Sequence, residues 1–425
     1  MSAAGFLERH GMLAAQIDLK KELTRFMEEM DRVRRGEKGS LKMIPTCLGE
    51  YHPPEEMQNI MVVDIGGTNV RASIAEMNRS GMISQNPLAP FLTPGLEKEI
   101  SSETFFRMIA EGISSQKEWE KVMSRPGSPL GICFSFALRP LENRDAEVAF
   151  GAKQIHVPDL VGQKIGLSFR KALQDIRKPS DLNITVINDA VAAALGGRSF
   201  ETGKQYSGYL GFIYGTGTNV CYCAKNGETV NVESGAYCSF PTGDIDDVYD
   251  QSLIDAGQDR FEKMVSGGYQ KGLSDCILRF AAEEGEIHSR TYEALHKDNS
   301  AGLEPKEISA FLRNPSEDGV ISRSCAFPGD RKFLLELFDA LTDRSARLCS
   351  VTITAAMIRA EAGKNADRPA FIAAEGSAFS KQTGFREKLN AAMDFLAGQM
   401  NGLSYEFHTV PDATVRGTAV ACLSG

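Results

Sequence analysis

Two glycine-containing turns of this sequence share the tetrapeptide GTNV, once at residues 67–70 and again at residues 217–220. Each turn follows an apolar run and precedes a run with the two-residue period of a strand, so the pattern predicts two β-hairpins. Glycines permit unusual dihedrals and close approach, and successive N–H groups can converge on a phosphate. The alternative is a tight hairpin that binds nothing, because Asn and Gly are also ordinary hairpin residues.

The repetition of this plan is best explained by an internal duplication, since the strand context is shared as well as the four letters. Two related hairpins from two related domains would then hold one polyphosphate between them. This is the first functional hypothesis that the sequence supports.

Asp189 stands where the predicted strand NITVI ends and the predicted helix AVAAALGG begins. Ligands of open α/β sheets bind at the carboxyl ends of strands. An Asp at a helix start is also a common N-cap with no chemical role. Phosphoryl transfer to an alcohol, however, needs a group that accepts the hydroxyl proton and orients the oxygen. The sequence therefore offers Asp189 as a general base, with Asn188 beside it for a polar substrate.

The elements that must position these groups are alternating helices and strands, which predict a mixed α/β fold. Residues 102–123 and 160–176 have helical patterns, residues 129–138 resemble a strand, and residues 283–319 are expected to form surface helices and loops. Gly196 and Gly197 are predicted to end the helix that follows Asp189. The last part of the chain predicts a strand, a glycine turn and a closing helix. Near the N-terminus an amphipathic helix is expected, with one apolar stripe of Leu19, Leu23, Phe26, Met27, Met30 and Val33.

Length and composition predict an ordinary soluble protein of two or three domains: 425 residues, 42% hydrophobic and 24% charged. A net charge of −9 argues against broad binding to nucleic acid. Nine scattered cysteines without a CxxC pair predict free thiols, and six histidines without HExxH give little support for zinc. With no long apolar run and no signal-peptide pattern, we expect a cytoplasmic protein without a nucleic-acid or membrane partner.

Six segments, in order, resemble motifs of the hexokinase and glucokinase type of sugar kinase, within the actin-like ATPase superfamily. DIGGTNVRA and GTGTNVCY resemble the two phosphate motifs, INDAVAAAL the catalytic-aspartate motif, and AAEGSAF the adenosine motif. VNVESGAY and QSLIDAGQDRFEKMVSGGY are similar to the segments with substrate glutamates. The resemblance implies an α/β, two-domain actin-like ATPase (ribonuclease H-like) fold with a central cleft. The domains expected are 58–190 plus 411–425, and 1–57 plus 191–410.

The same resemblance implies transfer of the γ-phosphate of ATP to the 6-hydroxyl of a hexose, glucose first, with mannose and fructose left open. Asp189 would be the general base. Lys153 would contact both the sugar and the transferred phosphate, where its charge would stabilise the moving group. The residues that the resemblance places at the sugar are Ser135, Phe136, Lys153, Asn188, Asp189, Asn219, Glu233 and Glu262.

For the nucleotide, the resemblance implies that Asp64 holds Mg²⁺ through water, which fits an ion that keeps several waters. Arg71 would assist electrostatically. The expected partners are a hexose and ATP, and the expected assembly is a monomer or a homodimer. The residues that would border the phosphates and the adenosine are Gly66, Gly67, Thr68, Asn69, Gly215, Thr216, Gly376 and Ser377.

Several positions depart from the family pattern: Ala137 and Leu138 in the sugar loop, Ala152 before the lysine, Ser234 in place of a tryptophan, and Glu375 in place of an aspartate. These changes bear on the identity and affinity of the sugar more than on phosphoryl transfer. Two alternatives stay open. One is a related kinase or phosphatase with another substrate, such as an amino sugar, another alcohol or a phosphoanhydride. The other is a sugar- or nucleotide-binding regulator without turnover.

Overall fold

The computed structural model describes residues 2–46, 48, 51–149, 155–297, 302–400 and 402–424. Its strands are β1 (Ile44–Pro45), β2 (Gln58–Ile65), β3 (Asn69–Asn78), β4 (Gly81–Pro87), β5 (Phe91–Leu92), β6 (Ser128–Phe134), β7 (Leu138–Pro140), β8 (Ala146–Val148), β9 (Leu182–Asn188), β10 (Gly208–Tyr214), β11 (Thr218–Cys223), β12 (Thr229–Asn231), β13 (Ala370–Glu375) and β14 (Tyr405–His408).

The helices surround these strands and include one of 32 residues, α13. They are α1 (Ala3–Arg9), α2 (Leu19–Arg34), α3 (Ser102–Ser114), α4 (Lys117–Met123), α5 (Ile165–Asp175), α6 (Asp189–Arg198), α7 (Asp244–Gln251), α8 (Arg260–Val265), α9 (Gly267–Glu283), α10 (Ser289–Lys297), α11 (Pro305–Arg313), α12 (Val320–Ser324), α13 (Pro328–Arg359), α14 (Ser377–Lys381), α15 (Phe385–Gln399) and α16 (Ala413–Cys422).

Two sheets repeat one plan. The first sheet has the order β4-β3-β2-β6-β9, with β5 beside β3, and the second has the order β1-β12-β11-β10-β13-β14. In the first, the antiparallel hairpin β2–β3 is followed by the parallel strands β6 and β9. In the second, the antiparallel hairpin β10–β11 is followed by the parallel strands β13 and β14. Both predicted hairpins are present, and their matching surroundings support the duplication. The strands β7 and β8 form a separate small sheet.

Two helices connect the sheets. Helix α6 packs on β10, β11 and β13, whereas α16 packs on β2, β6 and β9, and the two helices pack against each other. Their backbones come so close that a Cβ added at Gly417 would lie 1.8 Å from the carbonyl oxygen of Ala192. Because a side chain would prevent that approach, Gly417 allows the two helices that connect the sheets to pack this closely.

The prediction that Gly196 and Gly197 end α6 is wrong, since the helix continues to Arg198. A Cβ at Gly196 would lie 2.4 Å from the carbonyl oxygen of Ala413, and one at Gly197 would lie 2.7 Å from the ring of Phe371. These glycines are therefore explained by packing inside the helix rather than by a left-handed terminus.

Residues 102–123 form two helices instead of one, because Gln116 leaves the helical pattern. Its side chain accepts a hydrogen bond from the backbone N–H of Ala89 (3.0 Å) and donates one to the carbonyl oxygen of the same residue (3.2 Å). The predicted strand 129–138 also ends early, at Phe134, where the N–H of Ser135 makes the last bond to β2, to the carbonyl oxygen of Ile65 (3.1 Å), and Leu138 begins the separate strand β7.

Helix α5 begins at Ile165, later than predicted. Gly162 before it has a φ of +84°, and the buried carboxylate of Asp145 accepts hydrogen bonds from the N–H groups of Gly166 (2.6 Å) and Leu167 (3.1 Å). This carboxylate satisfies backbone donors of the first turn, so the helix starts where it can reach them.

The predicted N-terminal helix is present as α2, and its apolar stripe is a packing face. Leu19, Leu23, Phe26 and Met30 are buried in the core cluster of the second sheet, and α2 packs against α13. Helices α10 and α11 lie in the predicted stretch 283–319, of which residues 298–301 are outside the described part. Within the described ranges, no helix has both the length and the apolarity to cross a membrane.

Candidate active site

The first glycine turn, residues 66–68, joins β2 to β3 and is braced from behind. The N–H of Gly66 donates to the carbonyl oxygen of Asn69 (3.0 Å). Thr93 contributes two further bonds: its N–H donates to the carbonyl oxygen of Thr68 (3.0 Å), and its hydroxyl donates to that of Gly66 (2.8 Å). Thr68 itself is exposed, as is Arg71, so this turn presents one face to solvent.

The second glycine turn, residues 215–217, is braced in a similar way by the start of α9. The N–H of Gly215 donates to the carbonyl oxygen of Gly217 (2.9 Å). The N–H groups of Gly267 and Gly268 donate to the carbonyl oxygens of Gly215 (2.8 Å) and Thr216 (2.9 Å). The sequence analysis gave no role to Gly267 and Gly268, although both lie in the segment QSLIDAGQDRFEKMVSGGY that it quoted, where two adjacent glycines are a readable signal.

Gly376, in the predicted adenosine motif, lies against the second turn. Its φ is +114°, and a Cβ there would lie 2.2 Å from the carbonyl oxygen of Tyr214. Conversely, a Cβ at Gly215 would lie 3.4 Å from the Cα of Gly376. Ser377 follows as the exposed first residue of α14. The structure thus brings this motif and the second phosphate motif together.

Close approach, not a left-handed backbone, explains the glycines of the two turns. Gly66, Gly215 and Gly217 all have φ values outside the left-handed region. A Cβ at Gly217 would lie only 2.6 Å from Oε2 of Glu262. Close approach therefore requires glycine most clearly at Gly217, whereas a Cβ at Gly66 would lie 3.3 Å from the carbonyl oxygen of Asn69 and one at Gly215 would lie at an ordinary contact distance.

Asp189 begins α6, but Asn188 is the residue that caps the helix. The Oδ1 atom of Asn188 accepts a hydrogen bond from the N–H of Ala190 (2.9 Å), a donor that Oδ1 of Asp189 also reaches (2.8 Å). The side-chain amide of Asn188 donates to the carbonyl oxygen of Phe136 (3.4 Å). Asp189 additionally accepts a hydrogen bond from the side chain of Ser135. Ser135, Phe136, Asn188 and Asp189 are thus together, as predicted.

Burial raises the pKa of Asp189 to about 7, and the neighbouring charges of Asp64 and Glu262 act in the same direction. The hydrogen bonds from Ala190 and Ser135 oppose this increase. A general base is most effective when its pKa lies near the working pH. The environment of Asp189 therefore suits proton transfer better than that of an ordinary surface carboxylate.

Asp64 is the second carboxylate at this edge of the first sheet. It lies opposite Arg71 in the β2–β3 register and beside Cys133 on β6. Burial raises its pKa, whereas the charge of Arg71 and a hydrogen bond with Cys133 lower it. Because Asp64 raises the pKa of Asp189 in turn, the two carboxylates share one electrostatic environment.

The predicted sugar glutamates come from the second sheet and α8. Glu233 has a left-handed φ of +53° and accepts a hydrogen bond from the side-chain amide of Asn231 (2.7 Å). Burial, and next the charge of Asp189, raise its pKa to about 8, and the hydrogen bond from Asn231 opposes this increase. Glu262 accepts a hydrogen bond from the N–H of Thr218 (3.1 Å). Both carboxylates therefore converge on the region of Asp189.

Asn219 lies in the same region with most of its amide already bound to protein. Its Oδ1 accepts hydrogen bonds from the N–H groups of Val220 (2.7 Å) and Ser234 (3.2 Å), and its Nδ2 donates to Oδ1 of Asn231 (2.8 Å). In this arrangement Asn219 holds the Glu233 segment in place, and one amide hydrogen is left for a ligand.

Glu375 joins the site, although the sequence flagged it only as a departure from the family pattern. Burial raises its pKa to about 7; Asp412 and Asp64 also raise it, and Arg71 lowers it. Since Glu375 directly precedes Gly376, these interactions place the second turn and the adenosine motif near the first turn. The missed signal was an acidic residue at the end of a strand beside a glycine.

Lys153 lies outside the described residues. Among the residues that are described, no group of three or more His, Cys, Asp or Glu side chains is arranged to hold a metal ion directly.

The family models that match this chain and the relatives described next are all hexokinases. The chain matches the hexokinase family over residues 10–199 and again over residues 209–424. It is 26% identical to Hexokinase-2 of Solanum tuberosum, an alignment that covers 96% of this chain and 88% of the relative. It is 22% identical to Hexokinase-1 of Saccharomyces cerevisiae, over 87% of this chain and 80% of the relative.

Among solved structures, the hexokinase from Schistosoma mansoni complexed with glucose superimposes with a TM-score of 0.77 at 19% identity, over the full length of both chains. A glucokinase of the ROK family from Streptomyces griseus superimposes with a TM-score of 0.51 at 16% identity, over 85% of this chain and 98% of that one. The expected two-domain actin-like ATPase fold is thereby confirmed. With both halves matched and the site residues assembled as described, this chain belongs to the hexokinase family.

Proposed function

We propose that this hexokinase-family phosphotransferase transfers the γ-phosphoryl group of ATP to the 6-hydroxyl of a hexose, with Asp189 as the general base. The observation that carries the proposal is the partly buried carboxylate of Asp189, whose pKa is about 7, at the carboxyl end of β9. It takes the proton of the attacking hydroxyl, which lets the oxygen attack in line with the leaving ADP. Ser135 holds the carboxylate in orientation through its hydrogen bond.

The sugar lies over Asn188 and Asp189 and against Glu233 and Glu262. Carboxylates suit this task because each accepts several O–H bonds. Burial, and next the charge of Asp189, raise the pKa of Glu233 to about 8, so this side chain is held in a desolvated pocket beside the general base. Glucose is the first candidate, since the S. mansoni hexokinase was solved with glucose. Phe136 belongs to the loop that closes over the sugar, and Lys153 stabilises the transferred phosphate.

The nucleotide phosphates lie against the two glycine turns and bind to those N–H groups that are not already used within the turns, as the N–H groups of Gly66 and Gly215 are. The first turn supplies Gly66, Gly67, Thr68 and Asn69, with Arg71 exposed beside them. The second supplies Gly215 and Thr216, and Gly376 with Ser377 borders the adenosine. Support comes from the contacts between Gly376 and Gly215 and from the interactions of Glu375 with Asp64 and Arg71.

Mg²⁺ fits this site. Burial raises the pKa of both Asp64 and Glu375, and the charge of Asp64 raises that of Glu375 further, so a cation beside these carboxylates would favour their ionised forms. Asp64 would hold the ion through water, with phosphate oxygens as further ligands, since Mg²⁺ keeps several waters and is often carried by one carboxylate plus substrate phosphates. When bound, the ion would neutralise charge on the β- and γ-phosphates.

The domain division 58–190 plus 411–425, and 1–57 plus 191–410, is part of this proposal. It is supported by the sheets, because the first sheet lies in the one set of residues and the second sheet in the other. Closure around the sugar would exclude water, which otherwise competes as an acceptor. We also propose a cytoplasmic location, from the sequence pattern, and a monomer or homodimer, from the resemblance to the family.

A coupled assay of ADP formation, with purified protein, MgATP and a panel of hexoses and amino sugars, tests the function. We expect one or more hexoses to stimulate ADP formation strongly. Equal ADP release with and without any sugar would count against the mechanism. Sugar binding without turnover would favour the regulator, and stimulation by amino sugars alone would favour the related kinase.

A further inference from the structure

Thr93 is a buried residue that no site motif contains. Its exposed fraction is 2%, and it directly follows β5, which pairs with the start of β3. Strand β5 is anchored from the other side, because the ring of Phe91 lies so close to α3 that a Cβ at Gly112 would be 2.7 Å away. The position of Thr93 is therefore set by the core of the first sheet.

Thr93 makes both of its bonds to carbonyl oxygens of the first glycine turn. Its N–H reaches Thr68 at 3.0 Å and its hydroxyl reaches Gly66 at 2.8 Å. In a trans peptide group the C=O and the following N–H point in opposite directions, and the described peptide bonds are all trans. With its carbonyls held toward Thr93, the turn directs the N–H groups of Gly67 and Asn69 the other way.

This orientation decides whether the turn can bind an anion. If the peptide groups were reversed, carbonyl oxygens instead of N–H groups would face the negatively charged phosphate oxygens. The backbone of Gly66 does not impose this orientation through a left-handed conformation, because its φ lies outside the left-handed region. From these contacts we infer that Thr93 is a positioning residue, which fixes the first turn so that its N–H donors face the phosphates of the nucleotide. The inference rests on the proposed binding of ATP at this turn.

Two substitutions separate the hydroxyl from the shape of the side chain. T93V keeps the branched shape and the backbone bond to Thr68 but loses the bond to Gly66, whereas T93S keeps the hydroxyl. T24V is a matched control, because Thr24 is exposed on α2 and donates its hydroxyl to the carbonyl oxygen of Lys20 (3.0 Å). Should T93V lose its cooperative thermal transition, T93A takes its place.

The measurement is calorimetric binding of the non-hydrolysable triphosphate AMP-PNP with Mg²⁺, of AMP, and of glucose. We expect T93V to bind AMP-PNP roughly three- to tenfold more weakly, the effect of one lost hydrogen bond. T93S and T24V should bind it like the wild type, and AMP and glucose affinities should not change. In parallel, amide hydrogen exchange of a peptide covering residues 65–70 should be faster in T93V without any ligand.

The outcomes are distinct. Unchanged AMP-PNP affinity and unchanged exchange in T93V overturn the role of Thr93 while leaving the nucleotide site in place. An equal loss of AMP and AMP-PNP affinity also overturns it, because the turn would then not act on the β- and γ-phosphates. A wild-type chain that binds no AMP-PNP overturns the proposed function itself, and the role of Thr93 with it.

Discussion

Asp64 raises the pKa of Asp189 across β6, the strand that separates them in the first sheet. Asp64 is the penultimate residue of β2 and pairs with Cys133 of β6, and Asp189 follows the end of β9 on the other side of β6. Two groups proposed for different tasks, one for the metal and one for the proton, are therefore electrostatically linked before any ligand binds.

The pH dependence of turnover should reflect the raised pKa of Asp189. Asp189 must be ionised to act as a base, and its pKa is about 7. We expect kcat/KM for the sugar to fall as the pH decreases below about 7, approaching tenfold per pH unit. The measurement is the pH–rate profile from pH 5 to 8, with glucose binding followed over the same range. A flat profile would show that no group with such a pKa limits the reaction.

Glu233 should make the ligand-free protein less stable as the pH rises. Its pKa is about 8 in the folded state, raised first by burial and next by Asp189, so folding favours the neutral form. The contribution to stability is complete below the ordinary pKa of Glu and is lost as the pH rises toward 8. E233Q should therefore melt at a higher temperature than the wild type at pH 8, with a smaller difference at pH 5. E111Q, at an exposed position on α3, is the control and should show no such trend. An E233Q protein that is less stable at pH 8 would contradict the prediction.

The buried ion pair between Lys263 and Asp250 should be essential for the segment that presents Glu262. Both side chains are 3% exposed, and the Lys263 ammonium donates to Asp250 (2.7 Å) and to the carbonyl oxygen of Asp255 (2.7 Å). Burial alone would raise the pKa of Asp250, but hydrogen bonds from Lys263 and Gly257 bring it below its ordinary value.

Removing one partner leaves a buried charge, so K263M should lower the free energy of unfolding by about 3–5 kcal/mol. It should also raise KM for the sugar through the adjacent Glu262. K271M, which breaks the exposed pair with Glu304, should cost less than about 1 kcal/mol. Denaturant unfolding of the two variants checks this, and equal effects would refute the assigned difference.

Gly376 should not tolerate a side chain. An alanine there would combine a φ of +114° with a Cβ 2.2 Å from the carbonyl oxygen of Tyr214. We expect G376A to lose at least about 2 kcal/mol of stability and to bind AMP-PNP more weakly. G398A, in α15 with open space around it, should instead gain roughly 0.5–1 kcal/mol. Thermal melts of both proteins decide the matter, and a wild-type-like G376A would contradict the packing described.

The sequence was sufficient for the two hairpins, for the start of α6 at Asp189 and for the apolar face of α2, because each has a local signature. It was insufficient where contacts between distant parts of the chain determine the role of a residue. Gly196 looked like a helix end, yet its role is set by Ala413, more than two hundred residues away in the chain. The two bonds of Thr93 to the first turn are equally invisible in the local pattern.

The same difference between local patterns and long-range contacts holds for the site residues. Glu233, which follows β12, and Glu262 on α8 were found by motif, but the occupation of the Asn219 amide by Asn231 and Ser234 depends on strand pairing. The segments joining at Gly376 come from distant parts of the chain, and only the fold shows their contact with Gly215.

The most direct test of the central claim compares D189A with the wild type in ADP formation and in glucose binding under identical conditions. The account predicts a loss of turnover of about 10²–10⁴-fold or more, the range expected for a general base, with a glucose affinity within a few-fold of the wild type. Turnover preserved within about tenfold, in a D189A protein that still binds glucose, would contradict the role of Asp189.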